Sequence, residues 1–220
     1  MMGLDTSQER LHRLAMVEEQ LRLRGICNEE VLLAMEEVPR HLFIPETSRQ
    51  NAYADRPCPI GFGQTISQPY MVATMTEQLA LQPDHQVLEI GTGCGYQSAI
   101  LAHLSQQVCT IEVIPELSRK AQQVLSDLDI SNIRFHVGDG HHGWPQPAAF
   151  DRIIITAAAA EVPPKVFEQL ADGGLLMAPI GEHADHHRLM LYEKRGQRIE
   201  QICLCYCTFV PLEKTQEPGV

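Results

Sequence analysis

The chain has 220 residues, 44% of them hydrophobic, and a formal net charge of −11. That suits one globular domain with a real core, and it disfavours nucleic acid as a partner because phosphates would be repelled. No apolar run is long enough to span a membrane, the charged N-terminal residues hold no apolar signal core, and seven cysteines without small-scaffold spacing point to a reduced, cytoplasmic setting.

Residues 7–24 have helical spacing, with Leu11, Leu14, Val17 and Leu21 on roughly one face and Gly25 as the stop. Asn28 caps a second predicted helix that carries Val31, Leu32, Met35 and Val38 and ends at Pro39. Residues 40–63, with several prolines and glycines, read as a surface wrap, and a third helix is expected after Ser67. From Pro83 on, strands at 86–90, 108–111, 133–137 and 150–156 alternate with helices at 96–104, 115–125 and 165–170. This alternation predicts an α/β fold with a parallel sheet and helices on both faces. Gly173-Gly174 is expected to turn the chain into a strand at 175–180, and the tail supplies a strand pair at 188–193 and 202–209.

The most informative stretch is Val87-Leu88-Glu89-Ile90-Gly91-Thr92-Gly93-Cys94-Gly95-Tyr96, a buried strand, a glycine-rich turn and the start of a helix. Alternate glycines let the backbone turn tightly and approach a ligand, and the helix start offers free N–H groups. The spacing is one residue tighter than the G-x-G-x-x-G of dinucleotide sites, which argues against NAD. Glu112 ends the next strand at the spacing that meets ribose hydroxyls. Asp139, in Gly138-Asp139-Gly140, follows the third and is placed to accept from an amino group such as that of adenine. Two acids without a pyrophosphate cradle suit an adenosine ligand that carries no phosphates, such as S-adenosylmethionine. The ligand is expected at the carboxyl ends of the strands, where 156–160, a threonine and four alanines, also falls.

A second motif lies upstream, Gly63-Gln64-Thr65-Ile66-Ser67-Gln68-Pro69. Together with Val38-Pro39-Arg40, Phe43-Ile44-Pro45, Leu88-Glu89-Ile90-Gly91-Thr92-Gly93, Gly138-Asp139-Gly140 and Phe209-Val210-Pro211-Leu212, it makes nearly the whole chain resemble the protein-L-isoaspartate O-methyltransferases. The resemblance implies a Rossmann-like methyltransferase sheet with N-terminal helices and a C-terminal strand pair. It divides a single methyltransferase domain, 1–220, into a helical and substrate-loop segment (1–82), a cofactor-binding core (83–182) and C-terminal strands (183–220). It implies methyl transfer from S-adenosyl-L-methionine to the free α-carboxylate of L-isoaspartyl residues in damaged proteins and peptides. In the family the ester then collapses to a succinimide without the enzyme, and hydrolysis returns some normal aspartate. Cofactor contacts are expected from Gly91, Thr92, Gly93, Gly95, Glu112, Asp139 and Gly140, and substrate contacts from Thr65, Ile66 and Gln68. Ser67 takes the active-site role. No metal is expected, and the oligomeric state is open with a monomer favoured.

The chemistry asks for little. A carboxylate with a pKa of about 3.9 is already ionised at neutral pH, so no general base is required. Holding oxygen, methyl carbon and sulfur in line is the main task, and positioning can contribute roughly 7–11 kcal/mol. The Ser67 hydroxyl is placed to donate to the acceptor at a helix start whose N–H groups suit an anion. Ser67 also reads simply as an N-cap, and the two roles are compatible because a capping oxygen keeps its proton free.

Other features have plainer readings. Cys94, in the glycine turn, is expected to be a small packed side chain, and His141-His142 alters the cofactor's surroundings. Cys203, Cys205 and Cys207 alternate on a predicted strand and read as buried small side chains rather than metal ligands. His183, Asp185, His186 and His187 read as a solvated loop. A methyltransferase of another acceptor and a non-catalytic S-adenosylmethionine-binding module stay open as alternatives, with an NAD oxidoreductase weaker than either.

Overall fold

Thr6 starts the first helix. Its hydroxyl accepts the N–H of Glu9 at 3.2 Å, and the Glu9 carboxylate accepts the N–H of Thr6 at 2.9 Å, which opens α1 (Ser7–Ala15). The computed structural model describes residues 5–182 and 186–214. Beyond α1 the chain does not continue as a regular α-helix. Met16–Leu21 forms a π-helical turn and Arg22–Arg24 a 3₁₀ turn, before Gly25 closes the segment at φ +98°. The wider turn rotates the buried face, so Met16, Val17 and Leu21 are buried while Leu11 is 65% exposed. α2 (Glu29–Glu37) begins as expected on Asn28, whose side chain accepts the N–H of Val31 at 3.2 Å.

Residues 40–63 do more than wrap the surface. Arg40, His41, Phe43 and Ile44 are buried. β1 (Cys58–Gly61) pairs antiparallel with β2 (Gln64–Ile66) across Phe62 and Gly63, both at positive φ, as two-residue hairpin turns require. Pro59 and the short strands hide this hairpin from periodicity. α3 (Pro69–Gln78) is capped at Gln68 without a side-chain cap bond, so the cap expected at Ser67 is not formed. Nor is the helix start an open anion site. Pro69 has no N–H, and the N–H of Tyr70 already donates to the Asp55 carboxylate at 3.1 Å.

The remaining elements are β3 (Gln86–Ile90), α4 (Tyr96–Leu104), β4 (Gln107–Glu112), α5 (Pro115–Asp127), β5 (Ile133–Val137), β6 (Phe150–Ile155), α6 (Pro164–Glu168), β7 (Leu170–Ile180), β8 (His187–Arg195) and β9 (Arg198–Cys207). They form one seven-stranded sheet in the order β5-β4-β3-β6-β7-β8-β9. The first five positions are parallel, and β8 and β9 add antiparallel at the far edge. Alternate strand residues feed opposite faces. Leu88, Ile90, Ile153 and Ile155 enter one core cluster, and Val87 and Ile154 the other. From β3 the chain moves outward to β4 and β5, then returns to place β6 on the other side of β3. The crevice at the carboxyl ends of β3 and β6 is therefore the switch point where ligands bind in such sheets.

Three expectations change. Gly173-Gly174 lies inside β7 at a bulge rather than before a strand, with Gly173 at φ +75°. Cys203 and Cys205 are exposed on edge strand β9, not buried. A bulge there breaks the alternation, so Leu204 and Cys207 pack on the same core cluster. His187 is buried at the start of β8, where its Nδ1 accepts the N–H of Phe209 at 3.2 Å. His183 and Asp185 lie outside the described residues, and His186 is exposed. No helix among the described residues is long and apolar enough to cross a membrane.

Candidate active site

The switch point opens into a cleft whose empty space, open solvent included, is about 840 Å³. Its floor is the glycine turn. Gly91, Gly93 and Gly95 all have positive φ, and the N–H groups of Gly91 and Thr92 donate to the carbonyl of Ile111 at 2.9 and 3.2 Å. At Gly91 a Cβ would lie 2.3 Å from Thr156 Oγ1, which donates to the Gly91 carbonyl at 2.6 Å. Gly91, Thr92 and Gly93 line the cleft, whereas Gly95 turns the chain into α4 and packs against Ala121 and Leu125 of α5.

Glu112 lines the cleft at the end of β4. Its carboxylate accepts the N–H of Gly93 at 2.7 Å and that of Ile114 at 3.0 Å. Burial raises its pKa, and these backbone N–H groups oppose the rise. Gly138 and Gly140 line the same end, but the Asp139 side chain is turned to His141, accepting its N–H at 2.9 Å and facing its Nδ1 at 2.7 Å. Desolvation raises the Asp139 pKa, and the bonds from His141 outweigh it, so the net shift is downward. Cys94 also lines the cleft, and burial pushes its thiol up to about 11. It is thus protonated at neutral pH, as a packing residue would be.

Below the turn, Glu89 is fully buried. Its Oε2 accepts from Ser98 and Thr110, and Thr110 in turn meets the Thr92 hydroxyl at 2.6 Å. Oε1 has no partner among the described residues. Desolvation raises the Glu89 carboxyl to about 8 despite those hydroxyls, so the acid before the turn is mostly neutral at pH 7.

The opposite wall is β2 and its exit. Thr65, Ile66 and Ser67 line the cleft, but Gln68 does not. The Ser67 hydroxyl bonds to nothing among the described residues, and its carbonyl accepts from Arg40 Nη2 at 2.7 Å. The tail segment that includes Val210, Leu212 and Glu213 completes the wall. The alanine run seats it: the N–H of Ala158 donates to the Val210 carbonyl at 2.8 Å, and that of Leu212 to the Ala158 carbonyl at 2.7 Å. Gln64 then donates to Glu213 at 2.8 Å across the cleft. Sequence reasoning missed Gln64, Arg40 and Glu213 as site builders, and it placed Thr156 at the ligand end of the strands without a role. Only the small size of the alanines hinted at a close approach.

Among the described residues, the one group with metal-ligand atoms in mutual reach is Asp5, Glu9 and His41, which shares no residue with the cleft. Both Asp5 oxygens are held by Arg13, at 3.0 and 2.8 Å.

A parallel sheet that reverses beside a tight glycine turn, with an acid closing the second strand and no phosphate cradle, defines the Rossmann-like S-adenosylmethionine-dependent methyltransferases. The sequence model of one family, described as protein-L-isoaspartate(D-aspartate) O-methyltransferase (PCMT), matches residues 12–217. A protein-L-isoaspartate O-methyltransferase from Opitutus terrae is 47% identical over 94% of this chain and 88% of its own. One from Serratia proteamaculans is 48% identical over 92% and 96%. A solved Plasmodium falciparum protein assigned the same activity, in complex with S-adenosyl-L-homocysteine, superposes with a TM-score of 0.80 at 26% identity, covering 92% of this chain and 98% of that one. The chain belongs to the protein-L-isoaspartate O-methyltransferase family.

Proposed function

We propose that this chain is a protein repair methyltransferase. It moves a methyl group from S-adenosylmethionine to the free α-carboxylate of L-isoaspartyl residues in damaged proteins and peptides. The observation that carries this reading is the match of the family over residues 12–217. The placement of Ser67 in the same cleft as Gly91 and Gly93 supports it.

The residues present fit the methyl donor. Gly91 and Gly93 leave backbone where a side chain would intrude, and Glu112 faces the cleft to accept ribose hydroxyls. Asp139 stands between two cleft-lining glycines, Gly138 and Gly140, but outside the lining itself; with Oδ1 held by His141, Oδ2 is the oxygen we assign to the adenine amino group. When bound, S-adenosylmethionine supplies a methyl group on a sulfonium sulfur. Held by Gly91, Gly93 and Glu112, it would supply that methyl to the acceptor oxygen. The chain's own part is positional. The Ser67 hydroxyl donates to the acceptor carboxylate, while Thr65 and Ile66 wall its approach. Gln68, outside the cleft lining, contributes by capping α3 behind Ser67.

We take the monomer as the working unit. We place the enzyme in the cytoplasm, a setting supported by its seven free cysteines.

The test uses labelled S-adenosylmethionine with paired peptides, one isoaspartyl and one aspartyl. Base-labile label only in the isoaspartyl peptide, sharply reduced in Ser67→Ala, is the expected result. Cofactor binding without methylation of either peptide would overturn the substrate assignment.

A further inference from the structure

The chain holds two arginines that are almost fully buried and treats them differently. Arg13 is compensated: its guanidinium pairs with both oxygens of Asp5. Arg40, 0% exposed, has no carboxylate partner among the described residues. Its Nε donates to the Ala52 carbonyl at 2.8 Å and its Nη2 to the Ser67 carbonyl at 2.7 Å, while its guanidinium carbon lies 4.8 Å from the Tyr96 ring centroid. Nη1 has no partner. A buried cation without a counter-charge is costly, and such groups persist where something else requires them. Structural stapling alone does not require a charge, because neutral donors also satisfy carbonyls, and the stronger bonds of a charged donor are set against the cost of burying the charge.

The position of Arg40 supplies a requirement. It joins Ser67, on one wall of the cleft, to Tyr96, the first residue after the glycine turn. Its charge therefore stands one hydrogen bond behind the residue that lines the cleft. The proposed reaction brings two carboxylates to the cleft, that of the acceptor and that of the methionine end of S-adenosylmethionine, and Ser67, which Arg40 holds, is the residue proposed to face the acceptor.

We propose that Arg40 is a positioning residue whose buried charge selects an anionic acceptor, acting through Ser67. The isoaspartyl α-carboxylate is the counter-ion that the folded chain itself omits. This rests on the repair-methyltransferase reading above. Arg40 does not line the cleft, so it acts through Ser67 rather than by touching substrate.

The test compares wild type, Arg40→Met, Arg40→Gln and Arg40→Lys with two matched peptides in the presence of S-adenosylhomocysteine. One peptide carries isoaspartate, the other its α-carboxamide, which has the same shape without the charge. Wild type is expected to prefer the acid, and both neutral variants to lose about tenfold or more of that preference. The loss should appear in the Kd for the isoaspartyl peptide, with binding of the carboxamide and of S-adenosylhomocysteine unchanged. Arg40→Lys should retain most of the preference. Equal weakening of both peptides, or wild-type discrimination in either neutral variant, overturns the proposal. If one neutral variant does not fold, the other reads the same ratio. A wild type that methylates no isoaspartyl peptide when S-adenosylmethionine replaces S-adenosylhomocysteine would instead overturn the functional reading, and this assay is run before any variant is compared.

Discussion

The Gln64 side-chain amide donates to the Glu213 carboxylate at 2.8 Å, joining residues 149 positions apart across the mouth of the cleft. The bond is exposed, so its net worth is about 1 kcal/mol, but it ties the hairpin wall to the tail wall. Glu213→Ala is expected to raise the KM for S-adenosylmethionine about fivefold, with kcat not lowered, because no reacting group is touched. Steady-state kinetics checks this, and an unchanged KM would mean that the two walls hold their positions without the bridge.

Glu112 has two tasks, bracing the Gly93 N–H and facing the cleft. Hydrogen bonds to charged groups are worth roughly 1.5–3 kcal/mol each. Glu112→Ala should therefore weaken S-adenosylhomocysteine binding by about 10–100-fold in calorimetry. Glu112→Gln keeps one acceptor oxygen and should fall between. A variant that binds normally would remove Glu112 from the cofactor site.

Gly91 combines φ +98° with a neighbour 2.3 Å from where a Cβ would stand. Gly91→Ala meets both the backbone penalty and the Thr156 hydroxyl, and should cost roughly 2–4 kcal/mol of stability. Gly61 is the control: its φ is +97°, but nothing lies within 4 Å of an added Cβ. Gly61→Ala should cost only about 1 kcal/mol. Denaturant unfolding of both variants separates crowding from strain, and equal losses would show that the Thr156 contact adds nothing.

Burial holds the Glu89 carboxyl at about 8, above its ordinary 4.5. The folded chain therefore keeps a proton that the unfolded chain releases between those values. The stability that goes with this proton is fully present below about 4.5 and is lost as pH rises through about 8. Glu89→Gln is neutral at every pH and can accept from Ser98 and Thr110 as the acid does. It should be more stable than wild type by roughly 2–4 kcal/mol at pH 9 and show no gain at pH 5. Urea unfolding at the two values measures the difference. Parallel pH profiles would mean that Glu89 titrates as an exposed acid does.

Much of the fold was legible because its signals are local. Buried strands, helix spacings, Asn28 as a cap and Gly25 as a stop each depend on a few neighbours in the chain. The π-helical turn at Met16–Leu21 was not legible, because apolar spacing there fits a regular helix equally well. The β1–β2 hairpin was hidden by Pro59 and by strands of only four and three residues. The exposure of Cys203 and Cys205 depends on which strand forms the sheet edge, and a strand's own residues do not state its neighbours.

The candidate site divides in the same way. The sequence alone determined the sheet class, the glycine turn, the acid that closes β4 and the family, since these are strings of adjacent residues with fixed backbone demands. Only the tertiary structure decided that Gly95 packs on α5, that Gln68 stands outside the cleft lining, and that Asp139 is engaged by His141. It likewise decided that Arg40 lies beneath Ser67 and that Gln64 meets Glu213. These relations join residues far apart in the chain. They exist only once the sheet has reversed at β3 and β6 and the hairpin and the tail have met over one cleft.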